Sequence, residues 1–255
     1  MESLRRLVGD LPVTNDSAGL PRHGSIILLF DQATGRIGAI VEVGKLNAYR
    51  TAAADAVAAE ALSRPDSRVL TLFGTGHKAT YEAAAVARIR PIEQVIVVGR
   101  STEKTYEMVA RLKNLSLPAE AAECAEAACR RADIIVAATS ARAALFEADW
   151  VTPGTHVASM GSDGAGKQEL PVEVYSRASL FCDLPAQSRV VGEFQYAPAE
   201  ASLTAIGDVL SGKAPGRVRS EEITVFDSSG VSLQDLFIAG AILRANVAEN
   251  LGPTD

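Results

Sequence analysis

Six consecutive residues, Gly74-Thr75-Gly76-His77-Lys78-Ala79, have the types and spacing that suit a pyrophosphate. They fit the pattern G-x-G-x-x-A, between an apolar run at 69–73 and a stretch of helix formers that begins at His77. Each small residue has a separate task. Gly74 permits a sharp turn, Gly76 lets backbone approach an anion, and Ala79 lets a helix lie close to a strand. The anion then meets unpaired N–H groups at the positive end of a helix. Such a pattern is weak alone; the preceding strand and following helix make it specific. Gly74, Thr75, Gly76, His77 and Lys78 are therefore expected to bind a dinucleotide.

About twenty residues beyond the glycines, a site for an unphosphorylated ribose carries an acid. The sequence there is Val97-Val98-Gly99-Arg100-Ser101-Thr102, with no acid. Arg100 offers a planar fork of donors, Ser101 a hydroxyl and Lys104 a further positive charge, a set that suits a 2′-phosphate. NADP(H) is thus expected in preference to NAD(H). The reading to exclude is a solvated arginine on a loop.

These residues need a frame to hold them. Apolar runs at 69–73, 94–98, 134–138, 155–160, 180–183 and 222–226 alternate with helical stretches at 77–88, 102–115 and 120–129. Strands that are apolar throughout, separated by helices, imply a parallel sheet covered on both faces. Ahead of them, runs at 25–30 and 36–43 flank a turn containing Gly35 and read as a β-hairpin. An Ala-rich helix is expected over 46–62 and a last helix over 232–250. The fold class is therefore α/β: a Rossmann-type doubly wound sheet domain plus a smaller α+β domain. The smaller domain is expected at 1–53 with 231–255, and the dinucleotide domain at 54–230.

Composition narrows the partners. The 255 residues carry a net charge of −6, with no cluster of Lys and Arg on a face that could track phosphates, so no nucleic acid is expected. No apolar run reaches membrane-spanning length and no signal peptide is visible, so a cytoplasmic location is expected. Cys124, Cys129 and Cys182 form no disulfide framework and are read as small buried hydrophobes. His23, His77 and His156 are scattered and show no metal spacing.

Further stretches resemble a known family: Leu29-Phe30-Asp31 with Thr34-Gly35, Tyr49-Arg50-Thr51-Ala52-Ala53, the Gly74 loop, Met160-Gly161-Ser162-Asp163-Gly164-Ala165-Gly166-Lys167-Gln168-Glu169-Leu170, Gly192-Glu193, Gly216-Arg217, and Ile223 to Gly230. In this order they resemble the ornithine cyclodeaminase/mu-crystallin family over nearly the whole chain. The resemblance implies a homodimer in which a Rossmann domain is inserted into a substrate and dimerisation domain. It also implies interconversion of small amino, imino and keto acids by hydride transfer. Arg50 matches the family arginine that holds the substrate carboxylate, and Asp163 matches the acid beside the reacting carbon. Ala138, Thr139 and Ser140 are expected along the nicotinamide ribose. Met160 lies in a matching stretch taken as cofactor-binding, and Ser229 and Gly230 match the loop that closes on the nicotinamide.

The leading expectation is NADP-dependent reduction of a small imino acid of ketimine or pyrroline-carboxylate type to an amino acid. The alternatives are an NAD-using ornithine cyclodeaminase and a binding protein without turnover. Three departures accompany the resemblance. Lys78 stands where the family usually has Gln, and Asn47 replaces a common Thr. The chain also starts about sixty residues late, a span the size of a small domain. The residues ahead would hold a second carboxylate-binding Arg and a catalytic Lys a few positions before the match to Asn15. Arg5 and Arg6 lie near that Lys position, and an arginine cannot shuttle a proton at neutral pH.

Overall fold

A computed structural model describes residues 3–10, 23–44 and 46–250, with side chains for 24–44 and 46–246. The side chains of Arg5 and Arg6, and all of Asn15, lie outside the described residues. The chain divides into two compact units, Met1–Arg50 with Val231–Asp255, and Thr51–Gly230.

In the first unit, strands β1 (Ser3–Asp10), β2 (His23–Phe30) and β3 (Ile37–Glu42) form an antiparallel sheet in the order β1-β2-β3. The β2–β3 hairpin is the expected one. Asp31 fixes its turn by accepting the N–H groups of Ala33 at 2.8 Å and Thr34 at 2.9 Å, an Asx-type local cap. Strand alternation sends Ile27 and Leu29 into the core, while Ile26 on the other face is exposed. Helix α7 (Ser232–Asn250) packs on the sheet, with Ala239 in the same core as Val41 and Val43. Strand β1 had no counterpart in the sequence reading. Its run Leu4-Arg5-Arg6-Leu7 lacks a two-residue period, so its pairing with β2 is a tertiary choice.

Helix α1 (Leu46–Leu62) leads into the second unit. There β4 (Val69–Phe73), β5 (Gln94–Val98), β6 (Ala119–Ala121), β7 (Ile134–Ala137), β8 (His156–Ser159), β9 (Ala178–Cys182), β10 (Leu203–Ala205) and β11 (Ile223–Asp227) form one sheet. Its order is β10-β9-β11-β8-β7-β4-β5-β6, and every pairing is parallel. Helices α2 (His77–Ile89), α3 (Thr102–Asn114), α4 (Ala125–Arg131), α5 (Pro185–Val191) and α6 (Ile206–Leu210) connect these strands. Burial on both faces explains the unbroken apolar runs. Ile134 and Val136 of β7 join one core with Leu62, Leu72, Val86 and Met108, whereas Ile135 and Ala137 join a second with Phe73, Cys129 and Phe194.

Two short strands depart from the sequence reading. The stretch 120–129, read as one helix, holds the end of β6 and then α4. Three residues of β6 are too few for a period, and pairing with β5 decides their conformation. Strand β10, equally short, was not anticipated either.

Candidate active site

Because the sheet is wholly parallel, the loops after β4, β5, β7, β8, β9 and β11 all emerge along one edge, where open α/β sheets bind ligands. The first of them is the glycine loop. Gly74 adopts φ +122°, and a Cβ there would stand 2.6 Å from the Ala138 carbonyl oxygen. Gly76 caps α2 with extended backbone and no side-chain hydrogen bond, and a Cβ on it would meet nothing within 4 Å. The free space and the uncapped N–H groups lie together, which is what a pyrophosphate needs. Thr75 and Lys78 are half-buried and His77 is exposed, its ring edge-on to Tyr81. These residues fit a dinucleotide.

After β5, Arg100 and Lys104 are exposed and Ser101 is half-buried. Ser101 is the N-cap of α3, its Oγ accepting the Lys104 N–H at 3.4 Å. That contact uses a lone pair and leaves the hydroxyl hydrogen for a ligand oxygen.

The loops after β7 and β8 are joined by a carboxylate. Glu169 Oε1 accepts from the Thr139 N–H at 2.6 Å and its hydroxyl at 2.8 Å; Oε2 accepts from Ser159 Oγ and the Gly161 N–H, both at 2.8 Å. Glu193 holds the next layer, accepting from the Leu170 N–H at 2.8 Å, the Glu169 N–H at 3.0 Å and the Tyr175 hydroxyl at 3.0 Å. Both acids are fully buried. Burial raises the Glu169 carboxyl to about 7 against the hydrogen bonds from Thr139 and Ser159, and raises Glu193 as well. Neither had a role in the sequence reading. Their signal was a charged residue beside apolar neighbours, in Glu169-Leu170 and Glu193-Phe194. An acid at such a place must either be satisfied or give up its charge.

Asp163 projects from the β8 loop with its side chain 44% exposed, and forms an ion pair with Lys167. Partial burial works against its charge. The Lys167 hydrogen bond and the positive charges of Lys78 and Lys167 outweigh burial and hold the carboxyl below its ordinary value. Asp163 is therefore ionised at neutral pH. The glycine loop after β4 and the loop after β8 leave the same end of the parallel sheet, close enough for the charge of Lys78 to act on Asp163. Ser140 is exposed beside half-buried Ala138 and Thr139, while the Met160 side chain is buried in the apolar core. Ser229 and Gly230 are held by the loop after β9 and by α5: Asp183 accepts the Gly230 N–H at 3.0 Å, and the Gln187 amide donates to Ser229 Oγ at 3.1 Å.

Arg50 belongs to the first unit. Its Nε pairs with Asp235 Oδ1 at 2.8 Å and its Nη1 donates to Gln234 Oε1 at 2.8 Å, so α7 sets the plane of the guanidinium.

Other titratable groups stand apart from this chemistry. His156 is fully buried against Thr224, and burial lowers it to about 3, so it is neutral. Cys129 and Cys182 are buried as expected, but Cys124 is exposed and caps α4, its Sγ accepting the Ala127 N–H. A small side chain at a helix N-terminus serves as a cap even at the surface, which the apolar reading of Cys124 overlooked. Among the described residues no group of three potential ligands could hold a metal, and no helix is long and apolar enough to cross a membrane.

Known proteins share this fold. The iminosuccinate reductase of Paracoccus denitrificans is 38% identical over 235 residues, which cover 90% of this chain and 73% of that protein. The structure of an archaeal alanine dehydrogenase dimer with bound NAD superposes with a TM-score of 0.90 at 30% identity, covering 99% of this chain and 80% of the other. The Δ1-pyrroline-2-carboxylate reductase of Thermococcus litoralis, solved with NADH and L-proline, gives 0.85 at 28% identity over 93% of this chain and 76% of the other. A family match spans residues 6–250, and with the motifs and fold above it shows that the chain belongs to the ornithine cyclodeaminase/mu-crystallin family.

Proposed function

We propose that this protein reduces a small imino acid to the amino acid with a nicotinamide cofactor, NADPH in preference to NADH. The observation that carries the reading is the convergence of the glycine loop and ionised Asp163 at the carboxyl edge of the parallel sheet. Reductases of iminosuccinate and of pyrroline-2-carboxylate among its relatives support the substrate class. The loop 74–78 and the start of α2 hold the cofactor pyrophosphate, with Ala138, Thr139, Ser140 and Met160 along the adjoining loops and Ser229 and Gly230 on a third. Bound cofactor in its reduced form supplies a hydride to the C=N carbon. Asp163, an anion, favours the protonated and more electrophilic imine, whose proton stays on nitrogen as the hydride adds to carbon and the amine forms. Arg50, its plane set by Asp235 and Gln234, binds the substrate carboxylate through paired donors. Two copies of the chain form the working unit, as in the alanine dehydrogenase dimer.

The preference for NADPH rests on Arg100, Ser101 and Lys104. Arg100→Ala is expected to weaken NADPH binding by roughly 10–100-fold, the size of a lost charge-assisted hydrogen bond. NADH binding should change little. Fluorescence titration of the nucleotide-stripped protein with both cofactors measures this. Relatives solved with NAD or NADH favour a second reading, an NAD-linked dehydrogenase or cyclodeaminase. Equal or tighter binding of NADH by the native chain would establish that reading, and ammonia release from ornithine would identify a cyclodeaminase.

The Arg50 assignment has its own test. Lysine keeps the charge but loses the fork, so Arg50→Lys should raise KM for the imino acid by roughly 10–100-fold with kcat nearly unchanged. An unchanged KM would remove Arg50 from the substrate site.

A further inference from the structure

Ser159, the last residue of β8, stands between two buried acids. Its Oγ is 2.8 Å from Glu169 Oε2 and 3.2 Å from Glu193 Oε2. All three residues are fully buried. A hydroxyl has one hydrogen and cannot donate to two carboxylates at once. With both acids ionised, one contact would set lone pair against lone pair, with two negative charges one hydroxyl apart in a buried pocket. One added proton removes the conflict in either of two ways. Glu193 donates to Ser159, which donates to Glu169; or Glu169 donates to Ser159, which donates to Glu193.

The remaining donors do not choose between them. Glu169 takes two N–H groups and the Thr139 hydroxyl; Glu193 takes two N–H groups and the Tyr175 hydroxyl. The pair therefore titrates as a unit. Burial raises both carboxyls, in agreement. Each acts in turn on a further buried acid: Glu193 raises the proton affinity of Asp227, and Glu169 raises that of Glu82.

This pair also sets the loops. Thr139 and Gly161, just beyond the ends of β7 and β8, meet on one Glu169 carboxyl group. They approach so closely that a Cβ on Gly161 would collide with the Thr139 carbonyl oxygen and stand 2.7 Å from Glu169 Oε1. Two residues after Gly161 comes Asp163. We infer that Glu169 is a positioning residue for the Thr139 and Gly161–Asp163 loops, and that Glu169 and Glu193 hold a single proton between them across Ser159. The description of these loops as active-site loops rests on the proposed function; the clamp and the shared proton do not.

The two acids respond differently to glutamine. In Glu193→Gln the amide NH2 takes the place of the shared proton and donates to Ser159, and the Glu169 N–H, which lies 3.0 Å from Oε2 but also 3.2 Å from Oε1, keeps the remaining oxygen as its acceptor. In Glu169→Gln either rotamer points an NH2 at a backbone N–H, of Thr139 or of Gly161. Amide exchange of the full chain at pH 7 should be about tenfold or more faster at Thr139 and Gly161 in Glu169→Gln, and within about twofold of native in Glu193→Gln. The infrared carbonyl stretch of protonated carboxyls should lose intensity in Glu193→Gln, a change that loop packing alone would not produce. Equal exchange in the two variants, or a carboxyl band unaltered by Glu193→Gln, would overturn the inference. If Glu169→Gln does not fold, the exchange and the band of Glu193→Gln decide it. Neither readout needs substrate, so a chain without imino-acid turnover would sink the proposed function and leave this inference standing. In an active chain, Glu169→Gln should lower kcat more than it raises KM.

Discussion

Asp163→Asn is expected to lower imino-acid turnover by roughly 10²–10⁴-fold, the usual contribution of a positioned acid or base. Dinucleotide affinity should stay close to native, because the substitution keeps shape and removes only the negative charge. The surroundings argue for an anion that stabilises the protonated imine rather than for a proton donor. Lys167 and Lys78 hold the Asp163 carboxyl below its ordinary value, so the ionised form is present above that lowered pKa and is lost as pH falls through it. The Asp163 contribution should therefore persist through neutral pH and disappear only in acid. Lys167→Met removes both the hydrogen bond and a positive charge, so the acid limb of the kcat/KM profile should move to higher pH. Steady-state rates with a cyclic imino acid across the pH range would measure both effects. Full turnover by Asp163→Asn in an active chain would show that Asp163 has no chemical role.

The glycine loop yields the second large effect, and here two neighbouring glycines separate fold from function. Gly74→Ala places a Cβ at positive φ and 2.6 Å from the Ala138 carbonyl oxygen. It should cost about 2–4 kcal/mol of stability and abolish dinucleotide binding. Gly76→Ala meets no protein atom within 4 Å and keeps an extended backbone that alanine also adopts. Its stability cost should be no more than about 1 kcal/mol, that of a weaker N-cap. Yet it places a methyl group in the space required by the pyrophosphate, so binding should fall at least about tenfold. Thermal unfolding and cofactor titration of both variants test the contrast. Normal cofactor affinity in Gly76→Ala would falsify the assignment of this loop.

Much of this arrangement was written locally. Long, strongly patterned segments are decided by their own residues. The apolar runs of β4, β5, β7 and β8, the alanine-rich α1 and the turn chemistry at Asp31 each state their conformation before any partner is known. The same holds for the 74–79 loop, whose proposed role in binding the cofactor depends on small residues at three fixed positions next to one strand and one helix. Ser101 announced a polar end to β5, and the structure shows that it also caps α3. Strands β1, β6 and β10 could not be seen in this way. They are short or lack a period, and their conformation is supplied by a neighbouring strand's hydrogen bonds.

By itself, then, the sequence determined the alternating α/β frame, the glycine loop between β4 and α2 and the family motifs, because each rests on neighbours a few positions apart. Only the tertiary structure decided what the charged residues do. Asp235 lies 185 positions from Arg50 and sets its plane; Thr139 and Glu169 lie 30 apart and meet in two hydrogen bonds. Glu169 and Glu193 read as ordinary acids until the packing of three loops excludes water from both. Burial makes a carboxyl claim donors and protons from whatever lies beside it, and what lies beside it is a property of the folded chain.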